Sequence, residues 1–158
     1  MGTYDFLFGD GGDDTLIAGV DLSEVHGGTG NDLLDGTAAT DIRTQLYGED
    51  GNDTIIGSAA VGIELYGGAG NDRITGSTVA LNATGDYVEG GTGNDSITGG
   101  DGRDTVLGDA GADTLVGNGG DDSLNGGADD DLFVVGNGAG SDTIIGGETV
   151  TTGVDFDT

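Results

Sequence analysis

Residues 90–134 read GGTGNDSIT, GGDGRDTVL, GDAGADTLV, GNGGDDSLN and GGADDDLFV, five nine-residue units without a gap. Each places a Gly at or near its start, an Asp at its sixth position and a large apolar residue at its eighth. The same phrase stands alone earlier, as GGTGNDLLD from Gly27, GEDGNDTII from Gly48 and GGAGNDRIT from Gly67. Looser copies begin at Gly9 (GDGGDDTLI) and Asn137 (NGAGSDTII). A fixed nine-residue period of this kind marks a parallel β-solenoid, each unit a Gly/Asp loop followed by a short strand. The expected fold is all-β: a parallel β-roll of about seven coils with two facing parallel sheets.

Two units make one coil, so loops two units apart share an edge. A first row then holds Asp14, Asp32, Asp53, Asp72, Asp95, Asp113 and Asp131, and a second row Asp104, Asp122 and Asp142. Between early members of the first row lie four segments of unequal length without the motif: 18–26, 36–47, 57–66 and 76–89. Each still ends in a strand centred on an apolar residue, namely Val25, Leu46, Leu65 and Val88. Unequal lengths suit surface loops, which tolerate insertion. Val20, Leu22, Ile42, Val61, Ile63, Val79 and Leu81 are expected to tuck inward there and replace ions by apolar packing. Asp86, at the sixth position counted back from its strand, is a candidate vestigial or terminal ligand on the second edge.

The expected core takes one apolar residue per unit. One sheet supplies Leu16, Leu34, Ile55, Ile74, Ile97, Leu115 and Phe133. The facing sheet supplies Val25, Leu46, Leu65, Val88, Val106, Leu124 and Ile144.

The chain has 158 residues, 30 of them acidic and three basic, for a formal charge of -27, with 37 glycines and no proline or cysteine. Such acidity with few aromatics ordinarily denotes disorder. Here the acids recur at one phase, which is how ligands are spaced. Nucleic acid is excluded as a partner: phosphates need a basic face, and only Arg43, Arg73 and Arg103 are available. No apolar run reaches the ~18 residues of a membrane span. The opening MGTYDFLFGDGG lacks the basic start and apolar stretch of a cleaved signal. Absence of cysteine is compatible with an extracellular bacterial protein.

Glycine-rich loops can visit φ > 0 and turn carbonyls inward. Together with one carboxylate per loop they offer the all-oxygen set that calcium prefers, six to eight donors at roughly 2.3–2.6 Å. Without a cation, carboxylates on strands about 4.8 Å apart repel by about 3 kcal/mol at an effective dielectric near 20. So thin a core cannot offset a row of such contacts, and metal binding and folding are expected to be one event.

The nonapeptides resemble the repeats-in-toxin (RTX) family, whose consensus is GGxGxDxUx with U a large apolar residue, over about residues 9–147. The resemblance implies a right-handed parallel β-roll with Ca2+ between successive loops. It further implies an extracellular or cell-surface protein of a bacterium, exported by a type I route. Its ligands would be the ten sixth-position aspartates above with loop carbonyls such as those of Gly9, Gly27, Gly48, Gly67, Gly90, Gly99, Gly108, Gly117 and Gly126. Asp129 stands where the motif has its fourth-position Gly, which distorts the last first-row site. About eight ions are expected, six on the first edge and two on the second.

The expected layout is one domain over 1–158. A capping strand spans 1–8, coils with calcium loops on one edge span 9–89, coils with such loops on both edges span 90–147, and a cap or tail spans 148–158. The expected function is a non-enzymatic, secreted structural or assembly module of a surface layer, adhesin or filament. The alternative is the accessory roll of a larger exoenzyme. Ice binding is a lesser reading, suggested by Thr29, Asn31, Thr92 and Asn94, but the Thr row breaks at Asp50 and Ala69. His26, the single histidine, has no nucleophile partner and aligns with Tyr47 and Tyr66 as an outward ladder. The ends, TYDFLF and VTTGVDFDT, could pair with another copy head to tail.

Overall fold

The computed structural model describes residues 6–20, 24–40, 44–58, 62–78, 85–134, 140–146 and 149–152. These hold sixteen strands and no helix. The first eight are β1 (Phe6–Phe8), β2 (Thr15–Ile17), β3 (Glu24–Thr29), β4 (Leu33–Asp35), β5 (Gln45–Asp50), β6 (Thr54–Ile56), β7 (Glu64–Ala69) and β8 (Arg73–Thr75). The rest are β9 (Tyr87–Thr92), β10 (Ser96–Asp101), β11 (Thr105–Ala110), β12 (Thr114–Gly119), β13 (Ser123–Ala128), β14 (Asp130–Val134), β15 (Thr143–Ile145) and β16 (Thr149–Thr152).

Odd-numbered strands form one eight-stranded sheet and even-numbered strands the other, each in chain order. Every pairing is parallel and joins a strand to its counterpart two elements on. Leu34 thus pairs with Ile55, and Leu65 with Val88. The chain crosses from sheet to sheet at every loop, as a β-solenoid requires. The period-two pattern dictates which way each side chain faces, since the centre of each x-apolar-x triplet points inward and its flanks outward.

The core is the expected column of single residues. Leu34, Ile55, Ile74, Ile97, Leu115 and Phe133 on one sheet, and Val25, Leu46, Leu65, Val88, Val106 and Leu124 on the other, are fully buried. Leu7 and Ile144 close the column at its two ends, both only partly buried.

Three expectations need correction or limits. The roll makes about six turns between Asp14 and Asp131, slightly fewer than the seven coils anticipated. β1 precedes this span, and β15 and β16 follow it. Val20 does not tuck inward: it is 58% exposed, while Ala18, Ala39 and Ile63 take the buried places. Leu22, Ile42, Val61, Val79 and Leu81 lie outside the described residues, as does the tail beyond Thr152.

Outside the core, one sheet carries a run of stacked rings. Phe8, His26, Tyr47 and Tyr66 follow one another at centroid separations of 4.9, 4.8 and 4.7 Å, and Tyr87 continues the run at 5.8 Å with a tilted ring. These rings spend their faces on each other, which fits cross-strand stabilisation rather than a sugar platform. His26 is held between Glu24 and Glu49, at 3.0 and 2.7 Å.

Because each coil offers one core side chain per sheet, truncating one opens a cavity its neighbours cannot fill. Leu65→Ala should lower the stability of the calcium-loaded protein by about 2–5 kcal/mol, read from urea unfolding at saturating calcium.

Candidate metal centre

The sixth-position Asp of every unit from Asp14 to Asp122 immediately precedes its strand, and its carbonyl continues the inter-strand ladder. Asp32 accepts from the Thr54 N–H and Asp53 from the Arg73 N–H, both at 2.8 Å. This locks the aspartates of successive coils one above another. The intervals between them vary because insertions lie in the crossing loops, away from the ladder.

The side chains repeat one arrangement. In the first row the backbone N–H groups of Asp14, Asp32, Asp53, Asp72, Asp95 and Asp113 each donate to the Oδ1 of the next member, at 2.7–3.0 Å. The second row does the same, Asp104 N–H to Asp122 at 2.9 Å and Asp122 N–H to Asp142 at 3.0 Å. One oxygen of every carboxylate after Asp14, which begins the first row, is therefore spent on tying coil to coil, that of Asp104 by the Asp86 N–H.

The other oxygen has no protein partner. The Oδ2 atoms of Asp14, Asp32, Asp53, Asp72, Asp95, Asp104, Asp113, Asp122 and Asp131 are all buried and accept no hydrogen bond. Buried carboxylate oxygens are not left this way without a compensating charge or donor. Asp142, at the end of its row, is only half-buried.

The first glycine of each unit shows what surrounds that oxygen. A methyl group added at Gly27 would lie 2.5 Å from Asp32 Oδ2 and 2.7 Å from the Gly48 carbonyl oxygen. At Gly9, Gly48, Gly67, Gly90 and Gly108 the same two atoms, the Oδ2 of the unit's own Asp and the carbonyl of the next first-row unit's leading residue, meet at that point. Gly99, Gly117 and Gly126 lie against their own Asp Oδ2. Among the described residues no three acidic or imidazole side chains converge on one point. A cation here would draw on one carboxylate per loop and on backbone carbonyls, a hard all-oxygen set.

In the motif loops that begin at Gly9 through Gly126 the second position takes φ between 67° and 119°, even where the residue is Asp10, Glu49, Asp109 or Asn118. Asp129, at the fourth position, has φ 78°, whereas the fourth-position glycines from Gly12 to Gly120 have φ from 107° to 146°. The last first-row loop is thus altered in shape, yet Asp131 still accepts from Asp113 and keeps its bare Oδ2.

A feature not read from the sequence is an outer ladder at the fifth position. Asn31, Asn52 and Asn71 each take the backbone N–H of the next coil's Asn on their side-chain oxygen, at 2.7–3.0 Å. Asp13 begins this ladder and Ala112 ends it. The recurring Asn-Asp pair was its signal. It occupies the amides that an ice-facing row would need free. The register also alternates Thr29, Asp50, Ala69 and Thr92 along that edge, so no continuous Thr row forms.

Burial pushes the carboxyls of Asp72, Asp104 and Asp113 up to about 7, the N–H bond to each working against it and neighbouring charges in the row adding to it. Asp53, Asp95 and Asp122 are raised for the same first reason.

A family model for the RTX calcium-binding nonapeptide repeat (4 copies) matches residues 4–21, 24–42, 45–60, 64–78, 82–115, 107–139 and 138–149. No curated protein matches the chain.

The raised carboxyls give a signed expectation for the metal-free chain. They hold protons more tightly in the roll than in the open chain, so acid favours the roll. In chelator, strand content should be greatest below about pH 4, the ordinary carboxylate value, and should fall as the pH rises from there through about 7. Circular dichroism across that range checks it; strand content that rises with pH in chelator would contradict it.

Proposed function

Because the chain belongs to the RTX calcium-binding nonapeptide repeat family, we propose that it is a secreted structural module that calcium folds, the ions joining coil to coil along its edges. The observation that carries this reading is the set of nine buried carboxylate oxygens without a hydrogen-bond partner. The ligands would be Asp14, Asp32, Asp53, Asp72, Asp95, Asp113 and Asp131 on the first edge and Asp104, Asp122 and Asp142 on the second. Carbonyls of the leading glycines complete the sets. Calcium supplies the charge that lets these carboxylates sit buried and unprotonated at neutral pH.

Calcium would then lie along one edge of the coils in residues 9–89 and along both edges in residues 90–147. Thr44 and Ile63 stand at the sixth-position places of the second row in the early coils, and both are buried. Neither side chain offers a carboxylate. Six gaps in the first row and two in the second correspond to about eight ions, one per gap between stacked loops. The acidic surface and the family's habit of export support an extracellular setting.

Native mass spectrometry in calcium should count about eight ions. Circular dichroism in chelator at neutral pH should show coil that converts to strand on adding millimolar calcium and not magnesium, which demands a tight octahedral shell. A protein fully folded at neutral pH in chelator would sink the proposal.

Two substitutions test the site itself. Gly67→Ala puts a methyl group against Asp72 Oδ2 and the Gly90 carbonyl. Asp53→Asn removes one bare oxygen. Each should cost one or two bound ions and raise the calcium concentration needed for folding; an unchanged ion count in both would argue against these ligands.

A further inference from the structure

One aspartate of the second row departs from the pattern. Asp86 is buried at 3% exposure and stands in register, its backbone N–H donating to Asp104 Oδ1 at 2.8 Å. Its Oδ2, unlike those of its row mates, has a partner: the Ser77 backbone N–H, at 2.7 Å. Its Oδ1 takes the Ile63 N–H at 3.2 Å, and the Gly62 N–H also bears on the carboxylate.

The surroundings make this difference informative. Gly76 leads its loop as Gly99 leads the next, and a methyl group at Gly76 would meet both the Gly99 carbonyl and Asp86 Oδ2. The oxygens of a metal cradle are therefore present. What differs is the second position. Motif loops place a left-handed residue there, such as Gly100 at φ 119°, whereas Ser77 is not left-handed. The peptide entering Ser77 turns its N–H toward the carboxylate, where the motif loops leave the oxygen bare.

We propose that Asp86 is the metal-free terminus of the second row, a carboxylate neutralised by backbone N–H groups in place of a cation, so that calcium on that edge begins at Asp104. Backbone N–H donors are an established way to hold a buried carboxylate without a counter-ion. Ser77 and its neighbours thereby do at this coil what an ion does at the next. The Gly-Ser pair at 76–77 recurs at 57–58, and Gly36-Thr37 is its counterpart one coil earlier.

This inference rests on the second row being a calcium row, and the test separates the two. Calcium bound to the full chain is counted by native mass spectrometry for the wild type, Asp86→Asn and Asp104→Asn. Asp86→Asn should bind as many ions as the wild type, and Asp104→Asn at least one fewer. Loss of an ion in folded Asp86→Asn overturns the proposal. A full complement in Asp104→Asn overturns the reading of the row beneath it. If Asp86→Asn does not fold, amide exchange in calcium-saturated wild type decides. The Ser77 N–H should exchange on the order of a hundredfold or more slower than in an open chain; exchange as fast as that of an exposed loop amide overturns the proposal.

Discussion

Like charge held in register is the constraint on which the roll depends. Parallel pairing places each aspartate above its counterpart, and the core behind is one side chain thick on each sheet. From Asp32 onward the backbone satisfies one oxygen of each carboxylate by an N–H from the coil before, which fixes the spacing and leaves the second oxygen facing the gap. The ladder and the charge problem are thus one feature: the bond that aligns the coils is also what gathers the charges. Calcium binding is the natural complement, since a cation in the gap turns the repulsive element into an adhesive one.

The second edge shows that the same topology can be closed in other ways. Thr44 and Ile63 remove the charge at the sixth position, and at Asp86 the charge remains but is met by N–H groups. In each case the backbone ladder continues through the substituted residue, as in the Glu64 N–H bond to the Thr44 carbonyl and the Tyr87 N–H bond to Ile63. Strand pairing is therefore indifferent to what fills the edge. This explains how crossing loops of very different length coexist with an unbroken register in both sheets.

Much of this was legible in the sequence because the solenoid is a repeat, and the repeat writes its register directly. The apolar eighth positions, from Leu16 to Phe133 and from Val25 to Ile144, fall where the nine-residue phase puts them. The departures arise where phase carries no information. Val20 sits in a crossing loop with no strand to set its facing, and it points to solvent while Ala18 is buried. Asp86 matches its row by position, yet its chemistry is decided by Ser77, nine residues earlier. The ring run was seen at His26, Tyr47 and Tyr66. Phe8 joins it through the β1–β3 pairing, and Tyr87 joins it diagonally, its strand partner being Glu64 rather than Tyr66.

Each coil touches only the coil before and the coil after, because every strand pairs with its two neighbours in chain order and with nothing more distant. A structure of this kind behaves as a one-dimensional lattice. Order spreads along it like a zipper, and a vacancy in the middle divides it into two runs that fray separately. The run from Gly90 to Val134, five motif units in direct succession with aspartates on both edges, would be the stiffer one. It is the natural seed from which the remaining coils would be laid down.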